Sequence, residues 1–322
     1  MKRLALLVVA LFVLAAAGLV IANSYLGSAT IEEETAFIIP SGSSLGKVAY
    51  KLEEEGLVSS GEGFLMRARL FGSDDPIQAG EFALTPDMDQ GDILGAFQNG
   101  DVVRRFVTIP EGMPSVLVWE KLMEQELLTG EIDVPAEGSV LPDTYSFERG
   151  QDRGEIVAQM QAAMDDFLAE AWEGRSADTA VDNPRDAIIL ASIVEKETAL
   201  ADERRMVAGV MSNRVRIGMM LGADATTIYP ITKGKPLGRR IRVSELRDPN
   251  PYNTRAISGL PVGPITNPGR ESIAAALDPA ETDALYYVAD GTGGHAFART
   301  LAEHNENVRK WRAIRRERGE IE

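Results

Sequence analysis

The sequence predicts an α+β chain: an N-terminal transmembrane helix, an α+β region, and then a mixed α/β domain. Three observations carry this. Leu4 to Ala22 is a run of nineteen residues without a charge, long enough to cross a bilayer as a helix. Residues 38–127 repeat a short strand, a Pro/Gly turn and an amphipathic helix. Beyond residue 153, long helical patterns alternate with two short strands. The expected boundaries are 1–25 for a cytoplasmic tip and anchor, 26–127 for the α+β region, 128–152 for a connection, and 153–322 for the main domain.

The totals bound the function. The 322 residues carry a formal charge of −16, which argues against nucleic acid held on a general basic surface. There is no cysteine, so disulfides, thiolate catalysis and cysteine zinc sites are excluded. His295 and His304 are the only histidines, so a histidine-rich metal site is excluded as well. Lys2 and Arg3 precede the apolar run and Glu32, Glu33 and Glu34 follow it. The positive-inside rule then leaves the N-terminus in the cytoplasm and the rest outside, as a single-pass protein of the cytoplasmic membrane. That outer part has 31 basic and 49 acidic residues, a net of −18. The small residues near Ala22 also permit cleavage.

The repeat begins at Ile39-Pro-Ser-Gly42, followed by Leu45, Val48, Ala49 and Leu52 at helical spacing. Phe82-Ala-Leu-Thr-Pro86 leads into Ile93, Leu94 and Phe97. Ile109-Pro-Glu-Gly112 leads into Val116, Trp119 and Leu122. From Ile38 through Val58 the rhythm of strand, helix, helix, strand resembles a LysM module, a resemblance that implies binding of N-acetylglucosamine-containing glycans. A plain packing domain with no ligand fits the same pattern.

The main domain opens with a helix over 153–174, its stripe formed by Ile156, Met160, Met164 and Phe167. Asn183-Pro184 breaks the chain and starts the next helix, Asp186-Ala-Ile-Ile-Leu-Ala-Ser-Ile-Val-Glu-Lys-Glu-Thr198. At about 100° per residue, Ile188, Ile189, Leu190, Ile193 and Val194 share one broad face. Glu197 falls near its middle, and Glu195 points the opposite way, toward solvent. A carboxyl on an apolar face loses hydration and is harder to ionise, so it can hold a proton near neutral pH and donate it. A structural ion pair or cap explains the same placement. A helix over about 202–217 follows and stops at Gly218.

Arg239, Arg240 and Arg242 sit in a basic stretch that suits either an anionic ligand or a solvated loop. Tyr252 offers a stacking face and Asn253 an amide for sugar hydroxyls or an acetamido group. Gly259 to Gly269 holds three Pro and three Gly, a stiff, irregular segment of the kind that builds cleft walls. A short helix over Glu271–Leu277 follows. Strands at 285–289 and 295–297 form a hairpin across Asp290-Gly-Thr-Gly-Gly294, with His295 as a structural residue, and a final helix runs from Leu301 to about Arg316.

Five segments in this order resemble one family: Ala191-Ser-Ile-Val-Glu-Lys-Glu-Thr198, Asn213-Arg-Val-Arg-Ile-Gly-Met219, Tyr252-Asn-Thr254, Gly259-Leu-Pro261 with Asn267-Pro-Gly269, and Val288-Ala-Asp-Gly291 through Gly-Gly-His295. The family is that of the endolytic murein transglycosylases, also called MltG or YceG-like. The resemblance implies a lyase that cuts the β-1,4 bond between N-acetylmuramic acid and N-acetylglucosamine in nascent peptidoglycan strands, without water, leaving 1,6-anhydromuramic ends. It makes 153–322 the catalytic domain, needs no metal or cofactor, and implies peptidoglycan and the cell-wall synthesis machinery as partners. It assigns catalysis to Glu197, the second glutamate of its Glu-Lys-Glu-Thr motif. Tyr252, Asn253 and Asp224 are the candidates for orienting substrate. The chain departs from the family pattern at Gly222, Ala225 and Arg255, where Gln, Pro and an aromatic often stand. Two other readings stay open: a glycan-binding scaffold without catalysis, and a hydrolytic muramidase with Asp224 or Glu203 as its second carboxylate.

Overall fold

The computed structural model describes residues 29–321, together with positions 9, 11–15 and 18. Most of the apolar run 4–22 lies outside the described residues. Among those described, no helix is long and apolar enough to cross a membrane. The expected fold class is corrected accordingly. The described chain is a mixed α/β assembly of helices with small two-stranded sheets, and the expected transmembrane helix is not among its elements. Contacts divide it into two compact units, Met1–Arg105 with Ser146–Gly150, and Phe106–Tyr145 with Gln151–Glu322.

In the first unit, β1 (Thr35–Ile39) precedes α1 (Leu45–Glu54) and α2 (Gly61–Phe71). The chain returns as β2 (Gly80–Leu84), antiparallel to β1 with Phe37 opposite Phe82, and continues into α3 (Gln90–Asn99). The order of strand, helix, helix, strand therefore spans 35–84. Near Val58 there is only an isolated bridge to Ala29. Alternation along β1 turns Phe37 and Ile39 inward, as the two-residue period of a strand requires. Phe97 of α3 closes the core, its ring 5.6 Å from that of Phe37 and 4.8 Å from that of Phe82.

The three sequence repeats form the same turn. The amides of Ser43, Met88 and Met113 donate to the carbonyls of Pro40, Thr85 and Pro110 at 3.1, 3.1 and 3.2 Å. Gly42 and Gly112 take φ of +76° and +71°, which a side chain would strain. The third repeat joins β3 (Arg105–Thr108) to α4 (Ser115–Met123), and β3 pairs with β4 (Thr144–Phe147).

The second unit is mostly helical: α5 (Arg153–Glu173), α6 (Pro184–Glu197), α7 (Ala201–Arg216), α8 (Asp224–Thr232), α9 (Val243–Leu246) and α10 (Arg270–Leu277). The hairpin of β5 (Tyr286–Ala289) and β6 (His295–Ala298) precedes the last helix, α11 (Leu301–Glu317). Asn183 caps α6 by accepting from the Asp186 amide at 3.0 Å, with Pro184 at the first helical position, where its missing N–H costs nothing. Every residue from Ala187 to Val194 is buried. The single broad face expected for α6 is thus a helix enclosed all round, with α5, α7, α8 and α10 packed against it.

Glu81 of β2 is 5% exposed and paired with Arg105 at 2.8 Å and Arg149 at 2.6 Å. The hydrogen bond from Arg105 holds this carboxyl below its usual range against the opposing push of burial, and Arg149 adds to it. A depressed folded-state pKa stabilises the fold above the unfolded-state value and loses that contribution as pH falls through the folded one. We predict that Glu81→Gln costs about 2–3 kcal/mol at pH 7 by leaving two guanidinium groups short of an acceptor. The difference from wild type in urea unfolding shrinks as pH falls below about 4.

Candidate active site

Glu197 is the last residue of α6, where the helix leaves the apolar core. Thr198 then turns extended, with φ −141° and ψ 134°. The Glu197 carboxyl is half-buried, and its Oε2 accepts from the Tyr287 hydroxyl of β5 at 2.7 Å. Burial is the main cause that raises its pKa; the charge of Asp224 adds to this, while Tyr287, Arg255 and His295 pull the other way. Burial also raises the Tyr287 phenol well above its ordinary value, and the nearby Glu197 charge adds to that. The phenol therefore stays a donor.

Arg214 of α7 stands behind the tyrosines. Its Nε donates to the Leu285 carbonyl at 2.7 Å and its Nη1 to the Leu221 carbonyl at 2.5 Å. The guanidinium lies 5.7 Å from the Tyr286 ring and 5.8 Å from that of Tyr287, within cation–π range. Burial lowers its pKa, and Tyr287, Tyr286 and Glu197 oppose that. A half-buried cation held by two carbonyls is a positive charge whose field reaches the acid.

Glu195 is not solvated as its place on the helix implied. Its Oε2 accepts from the Gly269 amide at 3.0 Å, which ties the Pro/Gly segment to α6. Ser192 supports the same segment by accepting from the Ile265 amide at 3.1 Å. Asn267 bonds the Val140 amide, the Met113 carbonyl and the Ser115 hydroxyl.

The substrate-orienting candidates divide. Asp224 is exposed at the start of α8 and paired with Arg255 at 2.5 Å. Tyr252 is half-buried, its ring 4.9 Å from that of Tyr229, and burial raises its phenol pKa. Asn253 is fully buried. Its Nδ2 donates to the carbonyls of Glu245, Leu246 and Asp248 at 3.0, 3.2 and 2.8 Å. Its Oδ1 accepts from the Thr227 hydroxyl and the Arg255 amide at 2.7 and 3.2 Å. An amide so engaged has no donor left for a sugar; it shapes the loop that carries Arg255. Thr254 likewise bonds the Thr226 hydroxyl at 2.8 Å.

Glu203 is also engaged. Its Oε1 accepts from the His295 amide at 2.7 Å, and its Oε2 lies 2.7 Å from His295 Nδ1 and 3.4 Å from the Thr198 hydroxyl. Sequence reasoning passed over Arg214 and Tyr287 as site residues. The Asn213-Arg214 motif and the Tyr286-Tyr287 pair on the first strand of the hairpin were the available signals. Among the described residues, no group of three or more His, Asp or Glu is placed to hold a metal.

Glu197 thus joins a half-buried carboxyl, a phenol donor and a nearby half-buried guanidinium, an arrangement chemically able to hold and release a proton. The chain belongs to the YceG-like family, whose pattern matches residues 37–310. It is 26% identical over 312 residues to a Bacillus subtilis protein named endolytic murein transglycosylase, covering 87% of this chain and 85% of that one. It is 28% identical over 319 residues to a protein of the same name from Streptococcus pneumoniae, covering 84% of this chain but spanning only 57% of that longer relative. The crystal structure of a YceG-like protein from Listeria monocytogenes aligns with TM-score 0.52 at 27% identity, over 85% of this chain and 99% of that one.

The bonding of Asn253 yields a prediction. Asn253→Ala leaves three carbonyls without their donor and lowers stability by about 2 kcal/mol. Thermal unfolding detects the loss without any glycan present; a residue that only contacted substrate would leave the unfolding midpoint unchanged.

Proposed function

We propose that this chain is an endolytic murein transglycosylase that cuts the β-1,4 bond between N-acetylmuramic acid and N-acetylglucosamine within glycan strands, with Glu197 as its one acid and base. Family membership and the names of two relatives support the activity. The observation that carries the residue is the half-buried Glu197 carboxyl at the end of α6, its pKa raised by burial.

The chemistry follows from that carboxyl. Protonated Glu197 gives its proton to the glycosidic oxygen as the bond to C1 of the muramic residue breaks. The 2-acetamido group of the same sugar meets the positive charge that develops at C1, the substrate-assisted route. The Glu197 carboxylate then takes the proton of the C6 hydroxyl as the C6 oxygen bonds to C1. The product is a 1,6-anhydro ring, and the acid is regenerated. Arg214 stabilises the carboxylate between the two transfers. Tyr252 and the Asp224–Arg255 pair line the approach of the sugar, and Asn253 acts on substrate only through the loop it braces.

The hydrolytic reading needs a second free carboxylate. Glu203 is committed to His295 and Asp224 to Arg255, which favours the single-acid route. The scaffold reading gives no use to a carboxyl poised to stay protonated. We extend the proposal to the first unit, whose β1-α1-α2-β2 order suits a LysM-like glycan-binding role. We extend it also to a place outside the cytoplasmic membrane, where nascent strands and the enzymes that polymerise them meet.

Mass spectrometry of uncrosslinked glycan strands tests the proposal. Wild type produces internal cuts with 1,6-anhydromuramic ends, and Glu197→Gln lowers the rate by at least about 10³-fold. Reducing ends instead would establish a hydrolase, and glycan binding without any cut would establish the scaffold.

A further inference from the structure

Glu197 lies at one end of a closed loop of contacts that the proton transfers above do not use. Thr198, the next residue, reaches Glu203 Oε2 with its hydroxyl at 3.4 Å. Glu203 holds His295 at both its backbone amide and its ring Nδ1, each at 2.7 Å. The His295 ring meets that of Tyr287 nearly edge-on, at 86° and 5.3 Å between centroids. Tyr287 returns to Glu197 Oε2 at 2.7 Å. Among the described residues, Tyr287 is the one side chain that hydrogen-bonds the Glu197 carboxyl.

A neutral carboxyl has one proton and two oxygens, and a site that leaves their roles open presents the proton to substrate only part of the time. Here the phenol is a donor, so Oε2 is an acceptor. The proton of neutral Glu197 is thereby directed to Oε1. We propose that Tyr287, braced by the His295–Glu203 pair, is the positioning residue that fixes Oε1 as the proton-carrying oxygen of Glu197 in both transfers. This rests on the acid–base role of Glu197 given above. The other groups whose electrostatics bear on that carboxyl are Asp224 from α8, Arg255 from the loop after Asn253, His295 from β6 and Arg214 from α7.

Tyr287→Phe tests the proposal, since it keeps the ring packing and removes only the hydroxyl. The expected result is a kcat lower by about 10-fold to 100-fold with KM within about twofold, and an unchanged unfolding midpoint. The lost hydrogen bond had favoured the ionised form of Glu197. The limb of the kcat–pH profile that falls as Glu197 deprotonates therefore moves to higher pH in the variant, and a packing role alone would not move it. Glu203→Gln lowers kcat in wild type and adds little in the Tyr287→Phe background, because both act on one path.

A titration of 13C-labelled glutamate carboxyls reads the same effect without any substrate: the Glu197 midpoint is higher in Tyr287→Phe than in wild type. An unmoved midpoint, a kcat equal to that of wild type, or losses that simply multiply in the double variant would overturn the proposal. Failure of the acid–base reading looks different. Wild type would then make no anhydro ends, while the titration still reports on Tyr287.

Discussion

The arrangement depends on the burial of α6. Eight consecutive residues, Ala187 to Val194, are enclosed by neighbouring helices, so the helix cannot tilt or slide to relieve its last turn. The carboxyl of Glu197 is delivered where the apolar core ends. Burying an ionised carboxylate there is costly, and the protein meets that cost by disfavouring ionisation rather than by supplying a salt bridge. Glu81 in the first unit shows the opposite solution, a buried carboxylate kept ionised by two guanidinium groups. Two glutamates drawn out of water in one chain thus have opposite pKa shifts: burial prevails at Glu197, and the two guanidinium groups prevail at Glu81.

Around Glu197 the backbone is irregular, and buried polar side chains hold it. Asn253 collects three carbonyls from the end of α9 and just past it, Asn267 joins the Pro/Gly segment to residues 113–140, and Ser192 and Glu195 tie that segment to α6 itself. Each bond satisfies a group that irregular backbone would otherwise bury unpaired. The same helix that carries the acid therefore anchors the segment beside it, which couples the precision of the site to the packing of the core.

Much of this was legible in the sequence. Helical spacing placed α5, α6, α7 and α10 within a few residues of their bounds, and Pro/Gly turns marked all three strand–turn–helix repeats. The spacing also singled out Glu197. It failed where an environment is built from distant segments. A helix wheel gives Glu195 a polar face, but only the fold brings Gly269 to it. Asn253 looked like a sugar ligand because the chain alone does not reveal three carbonyls converging on one amide. Tyr287 lies ninety residues from Glu197 and met no pattern that links a strand aromatic to a helix terminus. The transmembrane helix expected from composition has no counterpart among the described residues.

The central claim is that Glu197 holds its proton above the pH at which an ordinary glutamate loses it. The most direct measurement is the pH titration of the Glu197 side-chain carboxyl by 13C NMR in the wild-type protein, assigned by its absence in Glu197→Gln. The account predicts a midpoint clearly above the ordinary value of about 4.3. A midpoint at or below that value would mean that Glu197 is ionised at neutral pH like a surface glutamate, and would contradict its role as the acid.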